Sequence, residues 1–303
     1  MDVGLDETGL RIAVFQWLRE QEAWNNGIFS GRALNEGIAV AGRRVTLKGQ
    51  TGIWFPAGWT MPVSITTSNN GPYKLDDIGE DGFLTYAYRG TDPDHRDNAG
   101  LRNAMRTRTP LVYFKEMDGH RYQAIWPVIV LDDMPERLCV RAAIDPAYGE
   151  LKPGIRFGDI AASPLDVRRY AWGQTRHRLH QNAFREMVVN AYDERCAICR
   201  LNHPELLDAA HIIPDSDERG TPVIPNGLSL CKIHHAAYDK NILGIDPEYR
   251  VHIREDILHE RDGPMLKHGL QELDGSSLIL PRRVAERPDR ERLEVRFAEF
   301  RSA

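Results

Sequence analysis

The chain has 303 residues, of which 42% are hydrophobic and 27% are charged, and its formal net charge is -5. This length and composition predict two globular domains and exclude an intrinsically disordered chain. A slightly acidic chain is also not a polycationic nucleic-acid coat, so any contact with nucleic acid must come from local basic patches.

Two further features predict a soluble cytoplasmic protein. The longest apolar run, residues 125–131, contains Pro127 and is far shorter than the ~20 residues that a membrane span needs. Charged residues, among them Asp6 and Arg11, interrupt the N-terminal segment, unlike the apolar core of a secretory signal. We therefore expect no membrane association.

Hydrophobic periodicity predicts one helix at the start of the chain and a strand-rich region after it. Leu10, Val14, Trp17 and Leu18 have helical spacing, which predicts an amphipathic helix over Glu7 to Trp24. The region that follows alternates short apolar runs with turn residues, which is typical of a β-barrel or sandwich. The predicted strands are Val63 to Thr67, Phe83 to Tyr88, Leu111 to Phe114, Tyr122 to Leu131 and Leu138 to Ile144, with one helix near Asn98 to Arg108.

Proline and glycine recur between Tyr148 and Pro164, which predicts a domain boundary in this stretch. The predicted organisation is a β-rich domain over residues 1–150, a linker over 151–175 and a second domain over 176–303 with a C-terminal extension. In the second domain the pattern predicts a helix from Gln174 to Tyr192, a strand within Leu206 to Pro214 and a final helix near Asp289 to Phe300. The fold class is therefore α+β.

Three of the four cysteines lie close together in the second domain, an odd set that suits a metal site better than disulfides. Cys196 and Cys199 form a C-x2-C pair, and Cys231 and His234 form a C-x2-H pair. Three thiolates and one imidazole make a closed tetrahedral shell for structural Zn2+. His203 is an alternative fourth ligand.

The residues around these pairs predict a second metal site. His234 and His235 are adjacent, so on a helix their side chains point about 100° apart and do not bind one ion together. Asp239 lies four residues after His235, on the same helical face. An imidazole and a carboxylate at this spacing suit a hydrated divalent cation with open coordination positions.

His211, Asn226 and His235, threaded between the two zinc pairs, resemble the HNH endonucleases, which have the ββα-metal fold. The resemblance covers roughly residues 180 to 245. It implies that His211 is the general base, that Asn226 orients it and that His235 binds a catalytic Mg2+, Mn2+ or similar cation. An unperturbed imidazole titrates near pH ~6.5, which suits the deprotonation of water near neutral pH.

One position departs from the pattern of this family. Many members have Asp or His directly before the general base as a metal ligand, whereas this chain has Ala210. Asp208, two positions earlier, is the expected substitute. The catalytic cation is thus expected at His235, Asp239 and Asp208.

Basic residues precede the zinc pairs. Five arginines and one aspartate lie between Asp166 and Arg185, and this excess of positive charge favours contacts with phosphate. The expected DNA-binding residues are Arg169, Arg176 and Arg178. Because one HNH site cuts one strand, cleavage of both strands of DNA predicts a homodimer.

Two stretches of the first domain resemble the SRA (or YDG) family of modified-cytosine readers, over about residues 25 to 145. They are Pro72-Tyr73-Lys-Leu-Asp76-Asp77 with Thr85-Tyr86-Ala-Tyr88-Arg89-Gly90, and Asp97-Asn98-Ala-Gly100-Leu101. The resemblance implies an SRA/PUA-like barrel that flips the target base into a pocket. The implied pocket has Tyr73 as one wall, Tyr86 or Tyr88 as the other and Asp76 or Asp77 as the carboxylate that accepts from the cytosine amino group, with Arg89, Asn98 and Arg102 near the DNA backbone.

Together these features predict a type IV-like restriction endonuclease that cuts double-stranded DNA containing 5-methylcytosine or 5-hydroxymethylcytosine. Two alternatives stay open. The first domain could read another modification, such as phosphorothioate, or the second domain could be a zinc module that binds DNA or protein without cutting. Tyr86 and Tyr88 could equally be core or rim residues of a β-barrel.

Overall fold

The structure is a computed structural model that describes residues 6–68, 77–79, 83–117, 120–149 and 155–303, apart from the side chains of residues 23, 24, 77 and 78. It divides into two compact units, unit 1 (Met1–Leu179) and unit 2 (His180–Ala303). Within these ranges no helix combines the length and the apolar composition that a bilayer crossing needs.

The described residues form helices and strands that range from short segments to the long helix α4 (Leu165–Ala191) and the long strand β9 (Arg121–Met134). The helices are α1 (Glu7–Asn25), α2 (Gly31–Glu36), α3 (Arg96–Thr107), α4 (Leu165–Ala191), α5 (Lys232–Asp239), α6 (Glu255–His259), α7 (Pro264–Gly269) and α8 (Arg290–Ser302). The strands are β1 (Ile28–Ser30), β2 (Ile38–Val40), β3 (Arg43–Val45), β4 (Ile53–Trp54), β5 (Ser64–Thr67), β6 (Asp77–Ile78), β7 (Leu84–Ala87), β8 (Leu111–Glu116), β9 (Arg121–Met134), β10 (Cys139–Ile144), β11 (Leu207–His211), β12 (Gly227–Cys231), β13 (Leu243–Ile245) and β14 (Val251–Ile253).

Unit 1 is built on one mixed sheet that curls into a half-barrel. Its strand order is β4-β5-β8-β9-β10-β7-β6, with β1 paired to β9. All neighbours are antiparallel except β5 and β8. The end strands β4 and β6 do not pair with each other in the part of the chain described, so the sheet is open there. The closed SRA/PUA-like barrel stays a prediction.

The predicted elements of unit 1 are confirmed. The helix α1 begins after Asp6, whose carboxylate accepts a hydrogen bond from the Gly9 amide at 2.7 Å, and such an N-cap satisfies an otherwise orphaned donor. Leu10, Val14 and Leu18 are buried in the core, as their helical spacing predicts. The helix α3 and the five predicted strands are also present, whereas α2 and the β2–β3 hairpin were not predicted.

The helix α4 begins earlier than predicted. Residues from Leu165 onward are helical, although the sequence places a linker over 151–175 and starts the helix at Gln174. The physical reason is that Trp172 and Leu179, seven residues apart on one helical face, are both buried in the core of unit 1. Pro164 directly precedes the helix, so the proline- and glycine-rich stretch ends where the helix starts.

Unit 2 presents a β-hairpin followed directly by a helix. Strands β11 and β12 pair antiparallel, with Leu207 opposite Cys231 and His211 opposite Gly227. The helix α5 begins immediately after β12, which confirms the ββα order that the resemblance implies. The hairpin β13–β14 and the predicted C-terminal helix α8 complete the unit, and Leu293 of α8 is buried in the same core.

Candidate active site and metal centres

Four side chains of unit 2 converge on one point. One ligand atom from each of Cys196, Cys199, Cys231 and His234 lies within 4.8 Å of the other three. The Nδ1 atom of His234 is 3.4 Å from the Cys196 sulfur and 3.3 Å from the Cys231 sulfur, and the Cys199 and Cys231 sulfurs are 4.0 Å apart. A tetrahedral Zn2+ with Zn–S bonds of about 2.3 Å separates its sulfurs by about 3.8 Å. The four residues therefore fit zinc.

The fold holds this cluster rigidly. The Ala197 amide, within the C-x2-C turn, donates to the Ser229 carbonyl on β12 at 2.7 Å. The other ring nitrogen of His234, Nε2, lies 2.8 Å from the carbonyl oxygen of Gly269, which fixes the ring with Nδ1 toward the thiolates. The alternative ligand His203 is exposed and faces Glu205 instead, so it is not part of the cluster.

His211 stands at the end of β11 with one ring nitrogen unengaged. Its imidazole stacks on the ring of Phe184 from α4, with centroids 4.1 Å apart and planes at 24°. Within the described residues its Nε2 atom is buried and has no hydrogen-bond partner. Burial is the main cause that lowers the pKa of His211 below its usual value, and the positive charge of His235 acts in the same direction, against Asp215 and Asp239. Burial therefore favours the neutral imidazole, which is the form that can accept a proton.

The residue opposite His211 must be glycine. A Cβ atom on Gly227 would lie 2.3 Å from Cγ2 of Val188 and 2.9 Å from Cζ of Phe184. Both distances are shorter than van der Waals contact, so any larger residue would displace the ring that supports His211. The Asn-Gly pair of the sequence motif thus serves the packing of the base.

Asn226 acts on the backbone that follows His211. Its side-chain oxygen accepts from the Ile213 amide at 2.9 Å, and its amide nitrogen donates to the carbonyls of Ile213 and Thr221, each at 3.0 Å. These bonds occupy the buried amide, so Asn226 fixes the chain two residues after the base and makes no hydrogen bond to the imidazole itself. The orienting role implied by the resemblance can therefore act only through the main chain.

The expected cation ligands divide between the two nitrogens of His235. Its Nδ1 lies 3.4 Å from Oδ2 of Asp208, whereas its Nε2 lies 3.4 Å from Oδ2 of Asp239. An ion bound at one nitrogen cannot also be bound at the other. The three residues are therefore adjacent, but this ring orientation does not bring all three to a single ion.

Asp208 is a strongly stabilised carboxylate. Burial raises its pKa, but hydrogen bonds from His235 and Lys232 outweigh that effect and hold the pKa at about 2. The Lys232 ammonium donates to both carboxylate oxygens, at 2.7 and 2.6 Å, and the Arg185 guanidinium lies 3.8 Å away. Asp208 is thus ionised at neutral pH, as a metal ligand must be.

The Asp208 and His235 pair fits a small divalent cation. In an octahedral shell with bonds of about 2.1 Å, neighbouring ligand atoms are about 3 Å apart. The observed 3.4 Å between Oδ2 and Nδ1 is close to this separation. Asp239, on the other nitrogen, has the position of a residue that orients a metal-binding imidazole.

The arginines predicted to contact DNA on α4 differ in their surroundings. Arg169 and Arg176 are exposed and have no ion-pair partner in the described ranges, whereas Arg178 pairs with Glu22 at 2.6 Å. Arg169 and Arg176 lie seven residues apart and therefore on one face of the helix. Arg169 and Arg176 are available to bind phosphate.

Two tyrosines of the predicted base pocket are part of the packing of unit 1. Tyr86 and Tyr88 are both buried in the core of unit 1. The Tyr86 hydroxyl donates to the carbonyls of Gly52 and Thr66, at 2.9 and 3.1 Å, and the Tyr88 hydroxyl bonds the carboxylate of Asp133. Among the described residues both rings belong to the packing of the core, and the role of these tyrosines as pocket walls stays a prediction.

The other pocket residues lie outside the described part of the chain. Tyr73 and Asp76 are in the undescribed segment 69–76, and Asp77 is described only as a backbone residue of β6. Their roles in the pocket stay predictions.

The residues expected near the DNA backbone hold a loop of unit 1 together. Asn98 is fully buried, and its side chain bonds the Arg89 amide and the carbonyls of Arg89 and Asp92. Arg89 pairs with Asp97 at 2.8 Å, and Arg102 pairs with Asp94 at 2.9 Å. Asn98 therefore fixes the backbone of this loop, and the contacts of these residues with DNA stay a prediction.

Sequence patterns did not predict the roles of three groups: Phe184 and Lys232, which contact His211 and Asp208, and the Gly269 carbonyl, which contacts the zinc ligand His234. Lys232 occupies one of the two unspecified positions of the C-x2-H pair, and the other two groups lie outside the metal and histidine motifs. A buried Phe on an amphipathic helix has no distinguishing signal, and a backbone carbonyl has none at all.

One family model and two solved structures are similar to this chain over part of its length. Residues 196–246 match the family model of the HNH endonucleases. A solved structure described as a modification-dependent TagI restriction endonuclease is 18% identical, covers 86% of this chain and 87% of that chain, and has a TM-score of 0.32. Another, the type IV phosphorothioation-dependent restriction endonuclease ScoMcrA, is 14% identical, covers 57% and 52%, and has a TM-score of 0.22. Neither TM-score is high enough to establish a common fold.

No curated protein matches the chain. The family match begins at the first zinc cysteine and extends past Asp239, so it contains the zinc cluster, His211 and the cation residues. Residues 196–246 are therefore an HNH endonuclease domain.

Proposed function

We propose that this protein is a metal-dependent endonuclease that hydrolyses phosphodiester bonds of double-stranded DNA. The observation that carries the proposal is His211, a neutral imidazole with an unengaged Nε2, close in the ββα unit to the Asp208 and His235 pair. A base and a cation site of this kind are the two groups that hydrolysis of a phosphodiester needs.

In the proposed reaction, the imidazole of His211 accepts a proton from water as the oxygen of that water forms a bond to phosphorus. The bond between phosphorus and the departing oxygen breaks, and that oxygen leaves with the electron pair. Asp208 and His235 would hold Mg2+, Mn2+ or a similar cation, which would stabilise the negative charge on the phosphate and the departing oxygen. Phe184 keeps the base neutral by excluding water from one face. The zinc cluster serves only to hold the unit together.

We further propose that unit 1 restricts cleavage to DNA with 5-methylcytosine or 5-hydroxymethylcytosine. Support comes from the SRA-like stretch that contains Tyr73, Asp76 and Asp77, which remain the candidate contacts to a flipped base. Arg169 and Arg176 on α4 would contact phosphate. Because the cation site serves one strand at a time, a double-strand break requires a homodimer, which light scattering on DNA would detect.

The test is a plasmid cleavage assay with Mg2+ or Mn2+ on unmodified, 5-methylcytosine, 5-hydroxymethylcytosine and phosphorothioate DNA. Wild type is compared with His211→Ala, and zinc content and solubility serve as the folding control. Cleavage of DNA with modified cytosine alone, lost in the variant, supports both proposals. Cleavage of every substrate overturns the proposal that unit 1 reads modified cytosine. Cleavage of phosphorothioate DNA alone shows that unit 1 recognises phosphorothioate instead of modified cytosine. Absence of cleavage from a zinc-loaded wild type overturns the endonuclease in favour of a binding module.

A further inference from the structure

A cleft in unit 1, remote in sequence from the residues discussed so far, has a strongly basic lining. It has a volume of about 550 Å³ and lies between α2, the β2–β3 hairpin and the start of β9. The residues that define this basic cleft are Arg32, Glu36, Arg44, Lys48, His120 and Tyr122. Three of the six carry a fixed positive charge and one a negative charge, in a chain whose net charge is -5.

The charges of the cleft are not neutralised from within. Arg32 pairs with Glu36 at 2.7 Å, on the exposed face of α2. This pairing lowers the pKa of Glu36, with a further contribution from Arg44, so the single acid is shared between two arginines. In the part of unit 1 that is described, neither Arg44 nor Lys48 has a carboxylate as a salt-bridge partner. Arg44 and Lys48 therefore line the cleft without a salt bridge to a carboxylate among the described residues.

The floor of the cleft is rigid. The Lys48 ammonium lies over the ring of Tyr122, 4.9 Å from its centroid. Gly31 packs against the same ring so closely that an added Cβ atom would lie 3.2 Å from Tyr122 Cε2, and its amide donates to the His120 carbonyl at 2.9 Å. The Lys48 ammonium is thus held against the Tyr122 ring, which reduces the entropy that this side chain loses when a ligand binds.

We propose that the basic cleft binds the phosphate backbone of DNA. The proposal rests on the proposed function, because DNA is taken as the substrate of the HNH endonuclease domain. Arginine presents a planar fork that matches phosphate oxygens, and lysine supplies a point charge beside it. Because such contacts carry no sequence information, the cleft holds the DNA in place while other residues select the site.

The test measures DNA binding without cleavage, by fluorescence anisotropy of a labelled duplex over a series of salt concentrations. The full chain carries His211→Ala, which prevents turnover. Arg44→Gln with Lys48→Gln is compared with Arg137→Gln with Arg156→Gln, which removes the same charge from exposed residues of unit 1 outside the cleft. Arg44→Lys with Lys48→Arg keeps the charge.

We expect the cleft variant to weaken binding to modified and unmodified DNA by the same factor. Its plot of log affinity against log salt should be shallower by about 1.8, since each lost phosphate contact contributes about 0.9. The control and the charge-preserving variant should keep the wild-type slope. An unchanged slope in the cleft variant, or an equal loss in the control, would overturn the proposal, and an acidic protein would then become the better partner.

Failure of the proposed function would give a different result. If the wild-type chain does not cleave DNA but binds it with a salt slope that depends on Arg44 and Lys48, the cleft proposal stands and the endonuclease falls. If the wild-type chain cleaves DNA and substitution of Arg44 and Lys48 leaves the salt slope of binding unchanged, the endonuclease proposal stands and the cleft proposal falls.

Discussion

The two units place their chemically active residues in opposite ways. In unit 2, four metal ligands and His211 come from a hairpin, one helix and the turn before them, all within a short stretch of chain. In unit 1, a mixed sheet brings together residues far apart in sequence, as when the Arg11 guanidinium donates to the carbonyls of Pro62 and Pro110. A motif can therefore specify the site of unit 2, whereas only the folded sheet specifies the surfaces of unit 1.

The difference also concerns what stabilises each unit. Unit 2 has a compact core around its cysteine cluster, and a structural zinc bound by that cluster would supply folding free energy directly. Unit 1 has two apolar clusters on its sheet and no comparable group of metal ligands in the described ranges. The units should consequently respond differently to metal removal.

Loss of zinc should produce the largest effect and should be confined to unit 2. Cys231→Ser removes one of four ligands, and structural zinc contributes about 10 to 16 kcal/mol in small zinc-binding peptides. We expect hydrogen exchange to show unit 2 unprotected and unit 1 still protected. Cys139→Ser is the matched control, because Cys139 is buried in unit 1 away from the cluster. Unchanged zinc content in Cys231→Ser would refute the assignment.

The two carboxylates beside His235 should differ in their effect on cleavage. Asp208 faces Nδ1 and Asp239 faces Nε2. Loss of an outer-shell partner costs about 10- to 100-fold, and we expect Asp239→Ala to fall in this range and Asp208→Ala to cost more. The cleavage rate should also require more Mg2+ in Asp208→Ala, measured as a titration at fixed DNA concentration.

An equal or larger defect in Asp239→Ala would reverse the assignment and place the ion on the other nitrogen. Zinc content of both variants checks that the adjacent His234 still binds its metal. Lys232→Met is a further comparison, because it frees the Asp208 carboxylate while leaving both candidate ligands in place.

Tyr86→Phe should reduce stability without affecting the choice of DNA. The variant removes a hydroxyl that donates to the carbonyls of Gly52 and Thr66, and a hydrogen bond of this kind contributes about 0.5 to 1.5 kcal/mol net. Chemical denaturation should detect this loss in unit 1. Binding of methylated and unmethylated duplexes should keep its ratio. A changed ratio at unchanged stability would make Tyr86 a pocket residue after all.

The sequence was sufficient where local spacing determines geometry. The strand before His211 and the helix after Cys231 are confirmed, and the members of the two zinc pairs lie together as their spacing predicts, because neighbouring residues fix them. The spacing of Tyr86 and Tyr88, two residues apart, predicts that they lie on the same face of a strand, and both rings do lie in one core cluster. Spacing alone does not show which face of a strand is buried in the core.

Tertiary contacts determined what the sequence did not predict. The ring orientation that separates Asp208 from Asp239 depends on Lys232 and on the packing of α5 against β11, not on spacing. The side-chain amide of Asn226 forms hydrogen bonds with the backbone of its own loop, an arrangement that no sequence motif predicts.

The smallest predicted effect concerns the aromatic support of the base. Burial lowers the pKa of His211, and the stacked Phe184 ring provides part of that burial. Since the base must be unprotonated, the acidic limb of the pH dependence of cleavage should lie below the ordinary histidine pKa of about 6.5. Phe184→Leu admits water to the ring face, so the pKa should rise and the limb should move to higher pH by roughly a few tenths of a unit.

An NMR titration of His211 in the zinc-loaded protein without Mg2+ measures this pKa independently of cleavage. Val189→Ala is the control, because it removes buried volume from the same helix and should destabilise unit 2 without a change in the His211 pKa. If both variants shift the titration equally, general loosening of the core is the cause and Phe184 has no special role. If only Phe184→Leu shifts it, and the pH dependence of cleavage shifts with it, His211 is the group whose protonation limits the reaction.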